Sequence, residues 1–291
     1  MKKMLCVLMI LAILTAAAVS VSAKSVITVG EWTVEKVDDG FSVVSCSSSS
    51  GGITLIKEIG GVDVTAVGEY AFSGSETLRS FTASSPLLRI GGYAFQNASE
   101  LRAVRLPSSL KEIGVFAFAG TSLLRDINLG DTSVEAIPAY AFMSAGIQSV
   151  TLPKACTYIA DNAFLNCGEL RSIYIPDAVT DIGENAFDGC SDLTILCAPD
   201  SYAAQYARAH HISAESAIFR GDADHDGRVT IIDATKIQRF LAKLAEDPDG
   251  YIRLAGDVDG DGLNIIDATR IQRYLARIEN PYNIGESVFV V

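Results

Sequence analysis

The dipeptide Ala-Phe occurs six times, at residues 71–72, 94–95, 117–118, 141–142, 163–164 and 186–187, at intervals of 23, 23, 24, 22 and 23 residues. Each copy follows Ile-Gly or a close variant: Val67-Gly68, Ile90-Gly91, Ile113-Gly114, Ile137-Pro138, Ile159-Ala160 and Ile182-Gly183. Six residues after most of the phenylalanines stands a leucine (Leu78, Leu101, Leu124, Leu170, Leu193), with Ile147 after five, and strand-like segments such as Leu101–Pro107 and Leu170–Pro176 come next. A fixed period of this length confines the chain to a solenoid. One such unit cannot bury its apolar side alone, whereas stacked units bury it continuously. The aligned phenylalanines are therefore expected to form one internal column.

The flanks of the repeats read differently. Residues 26–64 alternate apolar and polar positions around turns at Asp38-Asp39-Gly40 and Ser47–Gly52, which predicts one or two hairpins capping the solenoid. Ser201–Ala209 (SYAAQYARA) reads as a short closing helix. Within each repeat strand, alternation points Thr82, Arg105, Asn128, Thr151 and Tyr174 outward, with a second row at Ser80, Ala103, Asp126, Ser149 and Ser172. The first row reads equally as a ligand face for a protein or glycan and as an ordinary solvated surface.

Two stretches near the C-terminus carry a different chemistry. Gly221–Leu241 reads GDADHDGRVTIIDATKIQRFL and Gly256–Leu275 reads GDVDGDGLNIIDATRIQRYL. In the first, carboxylates fall at loop positions 1, 3 and 5 (Asp222, Asp224, Asp226), Gly227 permits a sharp turn, and Asp233 stands at position 12. Alternate oxygens of this kind suit a hard cation such as calcium, which takes roughly 6–8 oxygen ligands. Arg228 would add its carbonyl and Thr230 an oxygen directly or through water. The order nearly matches an EF-hand loop, with Asp in place of the closing Glu. The second copy offers Asp257, Asp259, Asp261, Leu263, Asn264 and Asp267, but it is one residue shorter, so its backbone must draw in. Two calcium ions are expected. Acids this crowded repel one another without a cation, so folding should couple to metal. Each loop leads into a helix with an apolar stripe, Ile237, Phe240, Leu241 and Leu244 in the first and Ile271, Tyr274, Leu275 and Ile278 in the second. Lys236, Arg239, Lys243, Arg270, Arg273 and Arg277 are expected outside.

Two loop–helix repeats without an entering helix, together with IIDATKIQRFL and IIDATRIQRYL, resemble the type I dockerins of anaerobic gut and rumen bacteria over Gly221–Pro281. That resemblance implies a cohesin module of a scaffoldin as partner, and an extracellular cellulosome-type assembly concerned with polysaccharide breakdown. Carried over, the cohesin contacts would be Ile231, Ile232, Gln238, Arg239 and Lys243, with Ile265, Ile266, Gln272, Arg273 and Arg277 in the second copy. The motif I-G-x-x-A-F-x5-L-x-x-V-x-L-P is similar to the BspA-type leucine-rich repeat over Ile53–Ser213, with six units. The fold class implied is a mainly β leucine-rich-repeat solenoid of short parallel strands joined to a small all-α calcium-binding domain.

Met1–Ala23 has the basic start, short apolar run and small-residue end of a secretory signal peptide, so an exported protein is expected. The remaining division reads as a β cap over 24–64, repeats with their closing helix over 65–215, a linker over 216–220, the acidic repeats over 221–281 and a tail over 282–291. A net charge of −12 argues against nucleic acid and anionic lipid as partners, and no later segment is long enough to span a bilayer. Five cysteines follow the leader (Cys46, Cys156, Cys167, Cys190, Cys197), an odd number without zinc spacing. Stacking should bring Cys167 and Cys190 together, either bridged or as buried thiols. No catalytic constellation is recognised, so a non-catalytic binding protein is expected, with a hydrolase component of the complex or a calcium-dependent surface adhesin as the alternative readings. The histidines are His210 and His211 at the closing helix and His225 inside an acidic loop, and turn acids such as Glu69 and Glu184 do not form a placed pair.

Overall fold

The computed structural model describes residues 26–48, 50–84, 86–198, 200–216, 220–224, 229–247, 251–260, 262–277 and 284–285. The leader therefore lies outside the described residues, as do His225, Asp226, Gly227, Arg228, Asp261 and Ile278. The described residues fall into two compact units, one within 1–171 and 181–192 and the other within 172–180 and 193–291.

The first unit opens with an antiparallel meander of Val26–Val29, Trp32–Val37 and Gly40–Cys46. Gly40–Cys46 then pairs in parallel with Val62–Val67, and the same sheet continues through Arg89–Ile90 and Glu112–Ile113. The expected cap is thus fused by hydrogen bonds to the first repeats, which covers what would otherwise be an open sheet edge. A second parallel sheet stacks Gly52–Thr54, Ser80–Thr82, Ala103–Arg105 and Asp126–Ile127. Further on, Ala136–Ile137, Tyr158–Ile159 and Asp181–Ile182 form a third. Each repeat thus contributes the strand before its Ala-Phe to one ladder and the strand after it to another.

Ala-Phe itself is the hinge of the stacking. The phenylalanine N–H of one turn donates to the alanine carbonyl of the next: Phe72 to Ala94 (2.7 Å), then Phe95 to Ala117, Phe118 to Ala141, Phe142 to Ala163 and Phe164 to Ala186 (2.8 Å each). The rings of Phe72, Phe95, Phe118, Phe142, Phe164 and Phe187 stack nearly parallel, with successive centroids 5.2, 5.1, 5.4, 5.2 and 5.4 Å apart. Phe95, Phe118, Phe142 and Phe164 are wholly buried. The Ile-Gly step explains itself by contact: a Cβ on Gly114 would run into the backbone nitrogen of Gly92.

A second aromatic column was not foreseen. Tyr70, Tyr93, Phe116 and Tyr140, each two residues before a repeat phenylalanine, stack with centroids 4.7, 5.0 and 4.6 Å apart on the outside of the turn. All four sit in the left-handed region (φ 58°, 59°, 57° and 59°), which bulky residues seldom adopt. The recurrence of aromatics at 70, 93, 116 and 140 was the available signal.

The thiols of Cys167 and Cys190 donate to the carbonyls of Phe142 (2.9 Å) and Phe164 (3.2 Å), one turn back in the stack. All five cysteines among the described residues are free.

In the second unit, Ser172–Tyr174, Thr194–Cys197 and Ser213–Ser216 are parallel neighbours. Helix α1 (Tyr202–Ala209) connects the last two of these strands, with the Ser201 hydroxyl accepting from the Ala204 N–H (3.2 Å) as its cap. Three more helices come after it: α2 (Ile231–Leu241), α3 (Tyr251–Gly256) and α4 (Ile265–Leu275). Their core is Ala223, Ala234, Ile237, Ile252, Val258, Ala268, Ile271 and Ile284, with Val229, Phe240, Leu263 and Tyr274 packed against it. The buried stripe is thus Ala234–Ile237 and Ala268–Ile271, with Phe240 and Tyr274 half-buried. Leu241 and Leu275 end their helices and are exposed, and Leu244, beyond α2, is 70% exposed, contrary to the expected stripe.

Candidate metal and docking site

The first acidic loop places Asp222, Asp224 and Asp233 so that one oxygen of each lies within 4.8 Å of the others. Asp222 and Asp233 are fully buried. The closing aspartate has a second task. Thr230 caps α2, its hydroxyl accepting from the Ile232 N–H, while Asp233 Oδ2 accepts from the Thr230 N–H at 2.6 Å. The Thr230 side chain also accepts from the Asp233 N–H, and this exchange between Thr230 and Asp233 is a capping box. Asp233 Oδ1 turns to the loop and accepts from the Asp224 N–H at 3.0 Å. Oδ1 of Asp224 is buried and has no hydrogen-bond partner among the described residues, a condition proteins seldom tolerate for a carboxylate.

The second loop repeats this plan with a shift. Asp257, Asp259 and Asp267 gather within the same 4.8 Å limit. Asn264 caps α4, and Asp267 Oδ2 accepts from the Asn264 N–H at 2.8 Å. The deleted residue changes the other oxygen's partner. Asp267 Oδ1 accepts from the Val258 N–H (3.2 Å), one position earlier in the loop than Asp224 in the first copy. Asp257 also accepts from the N–H groups of Gly260 (2.9 Å) and Gly262 (3.0 Å), which tightens the shorter loop. Gly262, at φ 106°, supplies a turn that side-chain-bearing residues avoid.

Burial pushes the carboxyls of Asp233 and Asp267 above the ordinary carboxylate range, and nearby Asp224 and Asp259, respectively, add to the effect. Positive charge close by favours their ionised forms. In the second loop some of it comes from the protein. The Arg270 guanidinium contacts Asp259 and lies 3.4 Å from Asp267, with its side chain only 20% exposed. Arg270 was expected outside; its i,i+3 position relative to Asp267 brings it over the loop instead.

At the start of α2 and α4, immediately beside these loops, Ile231, Ile232, Ile265 and Ile266 are 56, 58, 55 and 54% exposed. Gln238, Arg239, Lys243, Gln272, Arg273 and Arg277 are exposed as well. Lys243 and Arg277 occupy equivalent left-handed positions just past their helices (φ 58° and 56°). The structure thus presents the same set of side chains twice.

The outward row of the repeats is less uniform than alternation suggested. Thr82 and Arg105 are exposed, with Arg105 paired to Asp126. Asn128 faces the neighbouring turn, its side chain accepting from the Leu106 N–H (2.8 Å) and donating to the Leu106 carbonyl (3.0 Å). Thr151 is half-buried. Tyr174 is not outward at all. It is 5% exposed and packs with Leu196. Burial pushes its phenol above the usual range, and the negative charge of Asp222 pushes in the same direction.

Residues 65–194 match the model for the BspA type leucine-rich repeat region in six copies, and residues 220–276 match that for the dockerin type I domain. No curated protein matches the chain. Among solved structures, a leucine-rich repeat protein of T. pallidum is 23% identical, with 64% of this chain and 95% of that one covered and a TM-score of 0.51. One from Bacteroides ovatus is 24% identical, with 61% and 46% covered and a TM-score of 0.50. These likenesses concern the fold. Neither matched family is an enzyme domain, and among the described residues no helix is long and apolar enough to cross a membrane. By these matches the chain joins a segment like the BspA type leucine-rich repeat region to a segment like the dockerin type I domain.

Proposed function

We propose that this chain is a secreted, non-catalytic binding protein that attaches itself through calcium-loaded acidic loops to a cohesin module of a scaffoldin in a cellulosome-type complex, while its repeats engage a protein or glycan. The observation that carries the reading is the paired set of bare isoleucines, Ile231-Ile232 and Ile265-Ile266, each more than half exposed beside an acidic loop. Large apolar side chains exposed in contiguous groups mark interaction surfaces.

The donor set fits calcium. All side-chain donors are hard oxygens, and buried Asp224 Oδ1 has no partner among the described residues. Asp222, Asp224, Asp233 and Thr230, with Asp226 and Arg228, would hold the first ion. Asp257, Asp259, Asp267, Asn264 and Leu263, with Asp261, would hold the second. When bound, the metal supplies positive charge that offsets the clustered carboxylates. The capping boxes then tie each loop to its helix, so the isoleucines are held at a fixed angle to one another. We read residues 221–281 as the docking region and 65–215 as the repeats with their closing helix.

The test is retention of the full chain on a panel of immobilised cohesin modules. Calcium should support retention and EDTA abolish it. Replacing all four isoleucines with aspartate should remove binding while leaving the helical signal intact. Equal retention with and without calcium would overturn the docking assignment. Release of sugar from plant polymers, lost on mutating one acid, would replace the non-catalytic reading with that of a hydrolase.

A further inference from the structure

Among the described residues, the two loops differ in one charged contact. Position i+3 from the closing aspartate is Lys236 in the first copy and Arg270 in the second. Arg270 reaches two carboxylates of its own loop, Asp259 and Asp267, whose side chains are 11% and 0% exposed. Lys236 makes no ion pair with the described residues of the first loop, where Asp224 Oδ1 is left without a partner.

We propose that Arg270 is a resident counter-cation of the second loop. It renders the two sites unequal, so that the first depends on calcium for its charge balance and the second is already partly neutralised. This rests on the calcium reading above. A guanidinium is a planar fork that suits adjacent carboxylates and never loses its charge. Its contacts are partly desolvated and so less screened than a surface pair. A divalent ion entering the second loop must either displace Arg270 or bind beside a like charge, and both weaken its binding. A lysine ammonium is a strongly hydrated point charge on a flexible stem, and it gives the first loop no comparable bridge. Filling should therefore be ordered, first loop before second.

The experiment is calorimetric titration of the full chain with calcium chloride, comparing the parent with Arg270→Ala, each also in an Asp222→Asn/Asp224→Asn background that silences the first loop. Arg270→Ala should tighten binding at the second loop about five-fold, the scale of a partly exposed ion pair. In EDTA the same substitution should lower the melting temperature of the C-terminal helices, because the acids lose their only cation seen among the described residues. Opposite signs in the two conditions distinguish a counter-cation from a merely structural arginine. If the silenced background fails to fold, the weaker of the two calcium phases in the otherwise unaltered chain gives the same comparison. Unchanged or weakened calcium binding in Arg270→Ala overturns the proposal and leaves the docking reading standing. Absence of calcium uptake by the parent chain overturns both.

Discussion

The repeats and the loop–helix region reach stability by different routes. In the repeats, a column of six phenylalanine rings and a backbone hydrogen bond at each Ala-Phe repeat the same interface from turn to turn. The Ala-Phe step itself brings no charged side chain into that stack. The loop–helix region has a core of eight buried apolar residues and, beside it, three fully buried aspartates, Asp222, Asp233 and Asp267. Its apolar core is small for the entropy it must offset, and burying its carboxylates carries a desolvation cost. The repeats thus rest on an uncharged aromatic stack, whereas the loop–helix region sets a small apolar core against clustered buried acids.

The sharpest way to break this contrast is Phe118→Ala in the middle of the column. It should destabilise the repeats by roughly 3–5 kcal/mol, as for other buried aromatic truncations. The loss, read by chemical denaturation of the full chain, should be the same in calcium and in EDTA. A loss that depends on calcium would mean the repeats are not independent of the metal.

A smaller effect is expected at Thr230→Ala. Removing the hydroxyl cap of α2 should cost about 1 kcal/mol, seen in the C-terminal transition alone. Hydrogen exchange at α2 provides the measurement, and loss of protection in the repeats instead would contradict the division drawn here.

The smallest concerns Asp39, whose carboxylate takes a two-pronged hydrogen bond from Arg89 (2.7 and 2.9 Å) and one from the Thr65 hydroxyl (3.0 Å). The Arg89 contact holds its pKa at about 2, below the ordinary 3.8. A depressed carboxylate pKa stabilises the fold above 3.8, and that contribution is lost as pH falls through about 2. Both side chains are about a third exposed, so solvent screening limits the effect to roughly 0.5–1 kcal/mol. Asp39→Asn should be less stable than the parent near neutral pH and converge with it near pH 2.

The division between what could be read in the chain and what could not follows the range of the interactions. The solenoid was legible because its period is carried by single residues repeated in register. The three aspartates of each loop lie close together in sequence, and their spacing alone brings them together in space. The double role of Asp233 and Asp267 was also present in the sequence, as Thr-x-x-Asp and Asn-x-x-Asp ahead of an apolar helix, but metal-ligand spacing hid it. Tyr174 was misplaced because alternation gives the direction of a side chain and not what covers it. Leu241 and Leu244 were misplaced because α2 stops at Leu241, before the stripe that would have turned them inward. Arg270 went unnoticed because a cation on a helix ordinarily faces water, and its acidic partners lie in the loop before that helix.

Tyr70, Tyr93, Phe116 and Tyr140 each hold a backbone twist that is unfavourable alone, and each ring leans on the next. The middle members have a companion on both sides, while Tyr70 stands at one end of the row, 55% exposed. Such a row loosens from its ends, like a stack of tilted books losing its outermost volume. A repeat array of this kind should be lengthened or shortened from within, by whole units, far more safely than trimmed at its margin.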